Sequence, residues 1–255
     1  MQNRKKIFVT NDDGIHAHGL QVLIEEMKKL GDVLCIAPER TQSGMSHAIT
    51  FSNPVSLEQH RDDPGVKTYS LTGTPVDCIK IALDRFYINE KPDLIVSGIN
   101  HGSNSSICAI YSGTVAAARE GGINNIPSIA FSSVNHKKNA DFTHYSPYVY
   151  SISEKIITQG IPEYVFLNVN FPLTKNIKGT RVSRQAEGVW IERFERRTDP
   201  HDREYFWLTG NFKNFEPDAN DSDEWLLQEG FATVTPLKIE KTDTESIAKL
   251  SFLNT

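Results

Sequence analysis

Lys6-Ile7-Phe8-Val9-Thr10-Asn11-Asp12-Asp13-Gly14 is the stretch that decides the fold. Its first five residues are apolar or β-prone and read as a short buried strand, and its last four form a turn closed by Asx residues and a glycine. Leu20, Val22, Leu23, Ile24, Met27 and Leu30 then recur near helical spacing. Gly31 supplies a helix stop, and Asp32 to Ala37 reads as a second strand. Strand, acidic turn, helix and strand in that order open a βαβ unit.

The alternation continues outward. Val76, Ile79, Leu83 and Phe86 share a helical face, Leu94 to Val96 is a short buried strand, and a helix (about Thr114 to Glu120) and a strand (Ser128 to Phe131) follow. Ser146-Pro147 starts another helix through Val149, Ile152 and Ile156, and Val165 to Val169 is one more strand. This pattern predicts a doubly wound α/β core with a largely parallel sheet over residues 1–172. Beyond Pro172, Arg, Glu, Asp and aromatic residues replace the alternation until Phe231 to Leu237. Residues 173–255 read as a smaller C-terminal extension rich in β-hairpins and used for oligomerisation, with polar Asn211 to Asp223 as a mobile loop.

Bulk properties narrow the function classes. The 255 residues suffice for a substantial core with an appendage. No apolar run approaches the roughly 18 residues of a membrane span. A net charge of −5 and a pI near 5.9 argue against a nucleic-acid polymer as partner, whereas a small anion needs only a local positive site. Met1-Gln2-Asn3-Arg4-Lys5-Lys6 is followed only by Ile7-Phe8-Val9 before the acidic turn, so no secretion signal is expected. Cys35, Cys78 and Cys108 are odd in number and far apart, which fits reduced, buried thiols in a cytoplasmic protein.

In an open parallel sheet the ligand lies beyond the carboxyl ends of the strands, so residues there are the candidates. Asp12 and Asp13 repel each other unless a cation lies beside them; the turn Asn11 to Gly14 serves equally as a helix cap. Ser43 and Gly44 follow the second strand, where a hydroxyl beside a glycine can approach an ion or a phosphate, or simply form a loop. Asn100 follows Leu94 to Val96 and can offer a neutral oxygen or merely shape a turn. Ser112, Gly113 and Thr114 precede a small-residue helix, a favourable phosphate cradle that would also be an ordinary cap. Together, Asp12, Asp13, Ser43 and Asn100 form an all-oxygen donor set that suits Mg²⁺ or Mn²⁺ rather than structural zinc.

Val9-Thr10-Asn11-Asp12-Asp13-Gly14, Ser43-Gly44 after Ala37-Pro38, Gly73-Thr74-Pro75-Val76-Asp77-Cys78, Ser97-Gly98-Ile99-Asn100 and Tyr111 to Gly121 occur in this order. The ordered set resembles the SurE survival-protein family, and the likeness continues through Pro127 to Ser132 and Asn168 to Pro172. The resemblance implies a Rossmann-like three-layer core and a 5′/3′-nucleotidase that hydrolyses nucleoside monophosphates. It further implies one divalent ion per subunit, Mg²⁺ or Mn²⁺, on Asp12, Asp13, Ser43 and Asn100, and a homodimer or homotetramer built partly through C-terminal extensions. Two positions depart from the family pattern. Gln42 stands where many relatives carry Arg, and Ser106 stands at the second glycine of Gly-x-Asn-x-Gly, which bears on base recognition.

The mechanism expected from these residues is attack by water without a covalent intermediate. Asp13 orients or deprotonates the water, Asp12 is a direct ligand, Asn100 completes the catalytic set, and Asn11, Gly44, Ser112, Gly113 and Thr114 hold the substrate. His47 and His101 are general-acid candidates, although a local hydrogen bond is the preferred role for each. A receiver domain would need a phosphoacceptor Asp where Ser97-Gly98 stands. A haloacid-dehalogenase-type phosphatase would need its two Asp residues two positions apart. A non-enzymatic nucleotide or phosphate sensor on the same fold is the alternative.

Overall fold

The computed structural model describes residues 4–137 and 139–254; Met1 to Asn3, which open the charged N-terminal run, lie outside them. The elements are β1 (Lys5–Thr10), α1 (His18–Met27), β2 (Gly31–Pro38), β3 (Leu57–Asp63), β4 (Val66–Leu71), α2 (Pro75–Arg85), β5 (Leu94–His101), α3 (Cys108–Tyr111) and α4 (Gly113–Ile123). They continue with β6 (Ser128–Ser133), α5 (Ser146–Gln159), β7 (Val165–Phe171), β8 (Thr180–Val182), β9 (Gly188–Thr198), β10 (Glu204–Asn214), α6 (Asp223–Gln228), β11 (Ala232–Lys238) and α7 (Thr244–Lys249).

A nine-stranded sheet runs β3-β4-β2-β1-β5-β6-β7-β11-β8. Strands β4, β2, β1, β5, β6 and β7 are mutually parallel. Strand β1 is buried on both faces, so its residues are apolar without alternation. Ile7 and Val9 pack with Leu20 and Leu23 of α1 and Val149 of α5, while Phe8 packs with Ile79 of α2 and Ala117 of α4. Because α1 lies against α5 and α2 against α4, the molecule has the three layers expected of a doubly wound fold.

The chain winds from β1 to β2 on one side and later returns to β5 on the other. Between the carboxyl ends of β1 and β5 the strand order therefore reverses, and the crevice there is where an α/β sheet receives its ligand. The Gly73-Thr74-Pro75-Val76-Asp77 segment has a structural task beside it. Thr74 and Asp77 cap α2 reciprocally, and the Asp77 carboxylate also accepts Thr50 N–H at 3.0 and 3.1 Å. The cap thus fastens the loop after β2 to the helix layer.

Three expectations differ from the architecture. Strands β3 and β4 lie where the alternation shows no element: β3 is an exposed antiparallel edge, Leu57-Glu58-Gln59-His60-Arg61-Asp62-Asp63, too polar to announce a core face. The sheet also runs across residue 172, since β11 pairs antiparallel with β7 and β8 pairs parallel with β11. Residues 173–255 thus divide between the main sheet and a projecting ribbon. Finally, Asn211 to Asn214 are the last rungs of β10, and Asp223 opens α6.

That ribbon is β9 paired with β10 in an eleven-residue antiparallel register from Glu204↔Thr198 to Asn214↔Gly188. It is the second sheet of the fold and projects with Ile191, Phe194, Phe206, Trp207 and Leu208 exposed. At its root the buried Asp223 carboxylate accepts Ser106, Ala186 and Glu224 N–H, each at 2.9 Å. Ser106 adopts φ +48°, a backbone region where glycine is commoner, and its hydroxyl donates to the Ala186 carbonyl at 2.8 Å. The departure at Ser106 therefore serves the joint between ribbon and core. No helix among the described residues is long and apolar enough to cross a membrane.

Candidate active site

Two features of the backbone build the site at the β1/β5 crevice. The Asn11 side chain closes the acidic turn, donating to the Gly14 carbonyl at 3.0 Å and accepting Gly14 N–H at 3.2 Å. The loop after β2 is latched onto that turn by Gln42 N–H on the Asp12 carbonyl at 2.7 Å and by Thr41 Oγ1 on the Asp13 carbonyl at 3.2 Å. On the other side, the register of β5 shifts against β6 between Ser97 and Asn100. Gly98 sits there at φ +128°, where a Cβ would lie 2.1 Å from the Phe131 carbonyl oxygen. The irregularity carries Asn100 to the crevice. Its Nδ2 donates to the Gly102 carbonyl at 2.8 Å, which leaves Oδ1 as the end able to ligate.

Asp12 is only 3% exposed and lies against the N-terminus of α4. Thr114 Oγ1 donates to its Oδ1. Burial pushes the Asp12 carboxyl up to about 6; Thr114 opposes that and the neighbouring Asp13 charge adds to it. Gly113 makes the approach possible, because a Cβ there would stand 2.9 Å from Asp12 Cβ and 3.1 Å from its Oδ2. Ser112 caps α4 by accepting Val115 N–H at 3.0 Å.

Asp12, Ser43, Gly44, Asn100 and Ser112 together line a cavity of about 250 Å³. Asp13 lines a different hollow, with Arg40 and Thr41, and meets the cavity wall through His101: its Oδ2 is 3.3 Å from His101 N and 3.1 Å from His101 Nδ1. Two expected substrate contacts take other roles. Asn11 is buried and spent on its turn, so the turn-forming reading describes it. Thr114 is buried with its hydroxyl on Asp12, so it positions a carboxylate instead of facing a ligand. His47 does not line the cavity. Its Nε2 pairs with the buried Glu120 at 2.9 Å, while Lys80 takes the other oxygen at 2.6 Å. Burial raises the Glu120 carboxyl, but these two partners outweigh it and hold it below its usual range. His101 does line the cavity, its ring edge-on to Phe142 at 4.6 Å.

Sequence reasoning did not single out His136, Ser103 or Trp190, which also line the cavity, and it named Tyr111, Asn104 and Cys108 without giving them a place in the site. His136 follows the carboxyl end of β6, so extending the strand-end rule to that strand would have found it. Trp190 comes from β9 and carries no motif; its Nε1 lies 3.3 Å from Cys108 Sγ. Cys108 is accordingly half-buried, whereas Cys35 and Cys78 are buried and all three thiols are free. Among the described residues no three His, Cys, Asp or Glu side chains converge at metal-holding spacing. A cation here would depend on hydroxyl, amide and water oxygens in addition to carboxylates.

A doubly wound sheet with a buried carboxylate and a helix N-terminus at its switch point defines the class of α/β proteins whose ligand crevice lies between strand ends. Within that class the chain belongs to the SurE family: the model described as "Survival protein SurE" matches residues 7–192. It is 49% identical to the 5′-nucleotidase SurE of Christiangramia forsetii, over 98% of this chain and 97% of that protein. It is 45% identical to the 5′-nucleotidase SurE of Flavobacterium psychrophilum, over 96% of each chain. The crystal structure of the SurE protein from Aquifex aeolicus shares the fold at a TM-score of 0.84 and 34% identity, covering 98% of this chain and all of that one.

Proposed function

We propose that this chain is a divalent-metal-dependent phosphomonoesterase that hydrolyses nucleoside 5′-monophosphates, and 3′-monophosphates as well, to nucleoside and phosphate. One observation carries the reading. The cavity at the switch point is lined by the Asp12 carboxylate and by hydroxyl and amide oxygens, with no Lys or Arg among its described lining residues. A phosphate dianion entering beside Asp12 calls for a positive charge, and among the described lining residues only His101 and His136 could carry one. The donors present fit Mg²⁺ or Mn²⁺: Asp12, Ser43 and Asn100 line one cavity, Asp13 contacts its wall at His101, and the only sulfur among its described lining residues is that of the half-buried Cys108.

When bound, such an ion offsets the charge on the phosphoryl oxygens and favours in-line attack by water. Asp13 holds the attacking water and accepts its proton at the carboxylate. The two His101 contacts on Oδ2 fix its orientation and leave Oδ1 for that task. Ser112 Oγ and the first N–H groups of α4 hold the non-bridging oxygens, where the helix N-terminus favours negative charge. Asp12, kept in place by Thr114, is the fixed ligand.

The names of the relatives support the nucleotidase reading. Phosphate release from AMP and GMP, as 5′ and 3′ esters, tests it: release is expected with Mn²⁺ or Mg²⁺ and is abolished by EDTA. Binding without release under every condition would favour the sensor. The reading includes a homodimer or homotetramer in which β9 and β10 meet a second copy. A two-stranded ribbon standing alone in water is marginally stable, and this one exposes apolar side chains along its length. A soluble, cytoplasmic setting accords with the free thiols.

A further inference from the structure

Beside the switch-point cavity lies a larger one of about 680 Å³, and the two share Ser103, Cys108, His136 and Trp190 as walls. The larger one is built differently. Its broad sides are apolar, formed by Trp190 and Phe212 of the ribbon, Leu227 of α6 and Pro172 after β7. Glu224 is the only carboxylate among its described lining residues, and no Lys or Arg lines it. A volume of this size holds a flat heterocycle and its sugar.

The Glu224 carboxylate is not spent on an ion pair. Its Oε1 accepts the Ser105 hydroxyl, and Ser105 in turn lies 2.5 Å from Ser103 Oγ, on the wall common to both cavities. Glu224 lines the cavity, and nothing else among the described residues hydrogen-bonds its carboxylate. Its backbone is fixed, because Asp223 accepts Glu224 N–H at 2.9 Å and Ser222 caps the helix at Trp225. Burial raises the Glu224 carboxyl, the Ser105 bond opposes this, and the Asp223 charge adds to it. A half-buried carboxylate in an apolar chamber is best satisfied by a ligand that presents hydrogen-bond donors.

We infer that Glu224 reads the base of the nucleotide, and that this chamber selects guanine by pairing the carboxylate with its adjacent ring N–H and exocyclic amino group. The inference rests on the nucleotidase reading above. Trp190 supplies a face on which the base stacks, held by its contact with Cys108. Hypoxanthine keeps the ring N–H but lacks the amino group. Adenine turns a ring nitrogen lone pair toward the carboxylate, which repels it. A site built on a charged acceptor discriminates against a missing donor far more strongly than an apolar pocket discriminates by size.

The test is kcat/KM of the full chain with Mn²⁺ for GMP, IMP, AMP and dGMP, in the wild type and in Glu224→Gln. In the wild type, GMP should exceed IMP by about tenfold and AMP by about a hundredfold. In Glu224→Gln, whose amide can both donate and accept, GMP should fall and AMP rise until the two lie within a few-fold. The comparison of GMP with IMP needs no variant, so it stands even if Glu224→Gln folds poorly. Equal wild-type values for GMP and IMP would overturn the inference, as would a guanine preference that survives Glu224→Gln. A dGMP deficit that disappears in Glu224→Gln would also overturn it, by setting this carboxylate against the sugar. Those results all require turnover; failure to release phosphate from any of the four would instead remove the nucleotidase reading, and this inference with it.

Discussion

Asp13→Asn should lower kcat for AMP with Mn²⁺ by about 10²–10⁴-fold, the usual worth of a positioned proton acceptor. The change removes one charge and one base with little change in volume. Asp13 is only partly buried, and its carboxylate makes its hydrogen bonds to a single neighbour, His101, through N and Nδ1. An Asn amide can still place its oxygen toward the His101 N–H, so the turn from Asn11 to Gly14 should form as before. The melting temperature is therefore expected to stay within a few degrees of the wild type, in keeping with the small cost of isosteric changes at such sites. Near-wild-type turnover in a folded Asp13→Asn protein would remove Asp13 from the chemistry and leave Asp12 as the sole acidic candidate.

Gly113→Ala should damage both stability and activity, through one atom. The added Cβ meets Asp12 Cβ at 2.9 Å, Asp12 Oδ2 at 3.1 Å and Pro75 Cγ at 3.3 Å. These neighbours belong to the buried turn and to the first residue of α2, so none is the free end of a flexible side chain. Overpacking of this kind costs about 1–3 kcal/mol. To make room, Asp12 must move away from α4, which breaks its bond from Thr114 Oγ1. A displacement of roughly 1 Å in a reacting constellation costs about 10²-fold in rate. Thermal melts and AMP kinetics on one preparation check both effects. A protein with unchanged melting and turnover would show that the close approach of α4 to Asp12 is not needed.

The sequence reveals the core because β1, β2, β5, β6 and β7 are buried on both faces and are joined by amphipathic helices, so burial leaves a local signature. The outer parts lack one. Strand β3 is a charged edge, and β4 alternates only weakly through Val66, Thr68 and Ser70. The joining of β11 to β7 depends on a chain reversal some sixty residues long, which no local period encodes. The site divides in the same way. Asp12, Ser43, Gly44, Asn100 and Ser112 follow strand ends or open a helix, and they do meet at one cavity. Asn11 and Thr114 share those local contexts, yet they turn inward, because side-chain direction at a turn is set by the tertiary neighbour each one finds. Trp190 and Glu224 reach the larger cavity from the ribbon and from α6, across a distance in sequence that only the folded chain closes.

On the proposed function, the switch-point cavity works with one divalent ion per chain. A titration of the metal-stripped protein with Mn²⁺, following phosphate release from AMP, tests it most directly. Release should be absent at the start, rise with added ion and reach its plateau at one equivalent per chain, and Asp12→Asn should bind the ion more weakly. Full release by the stripped protein in excess EDTA would contradict the claim.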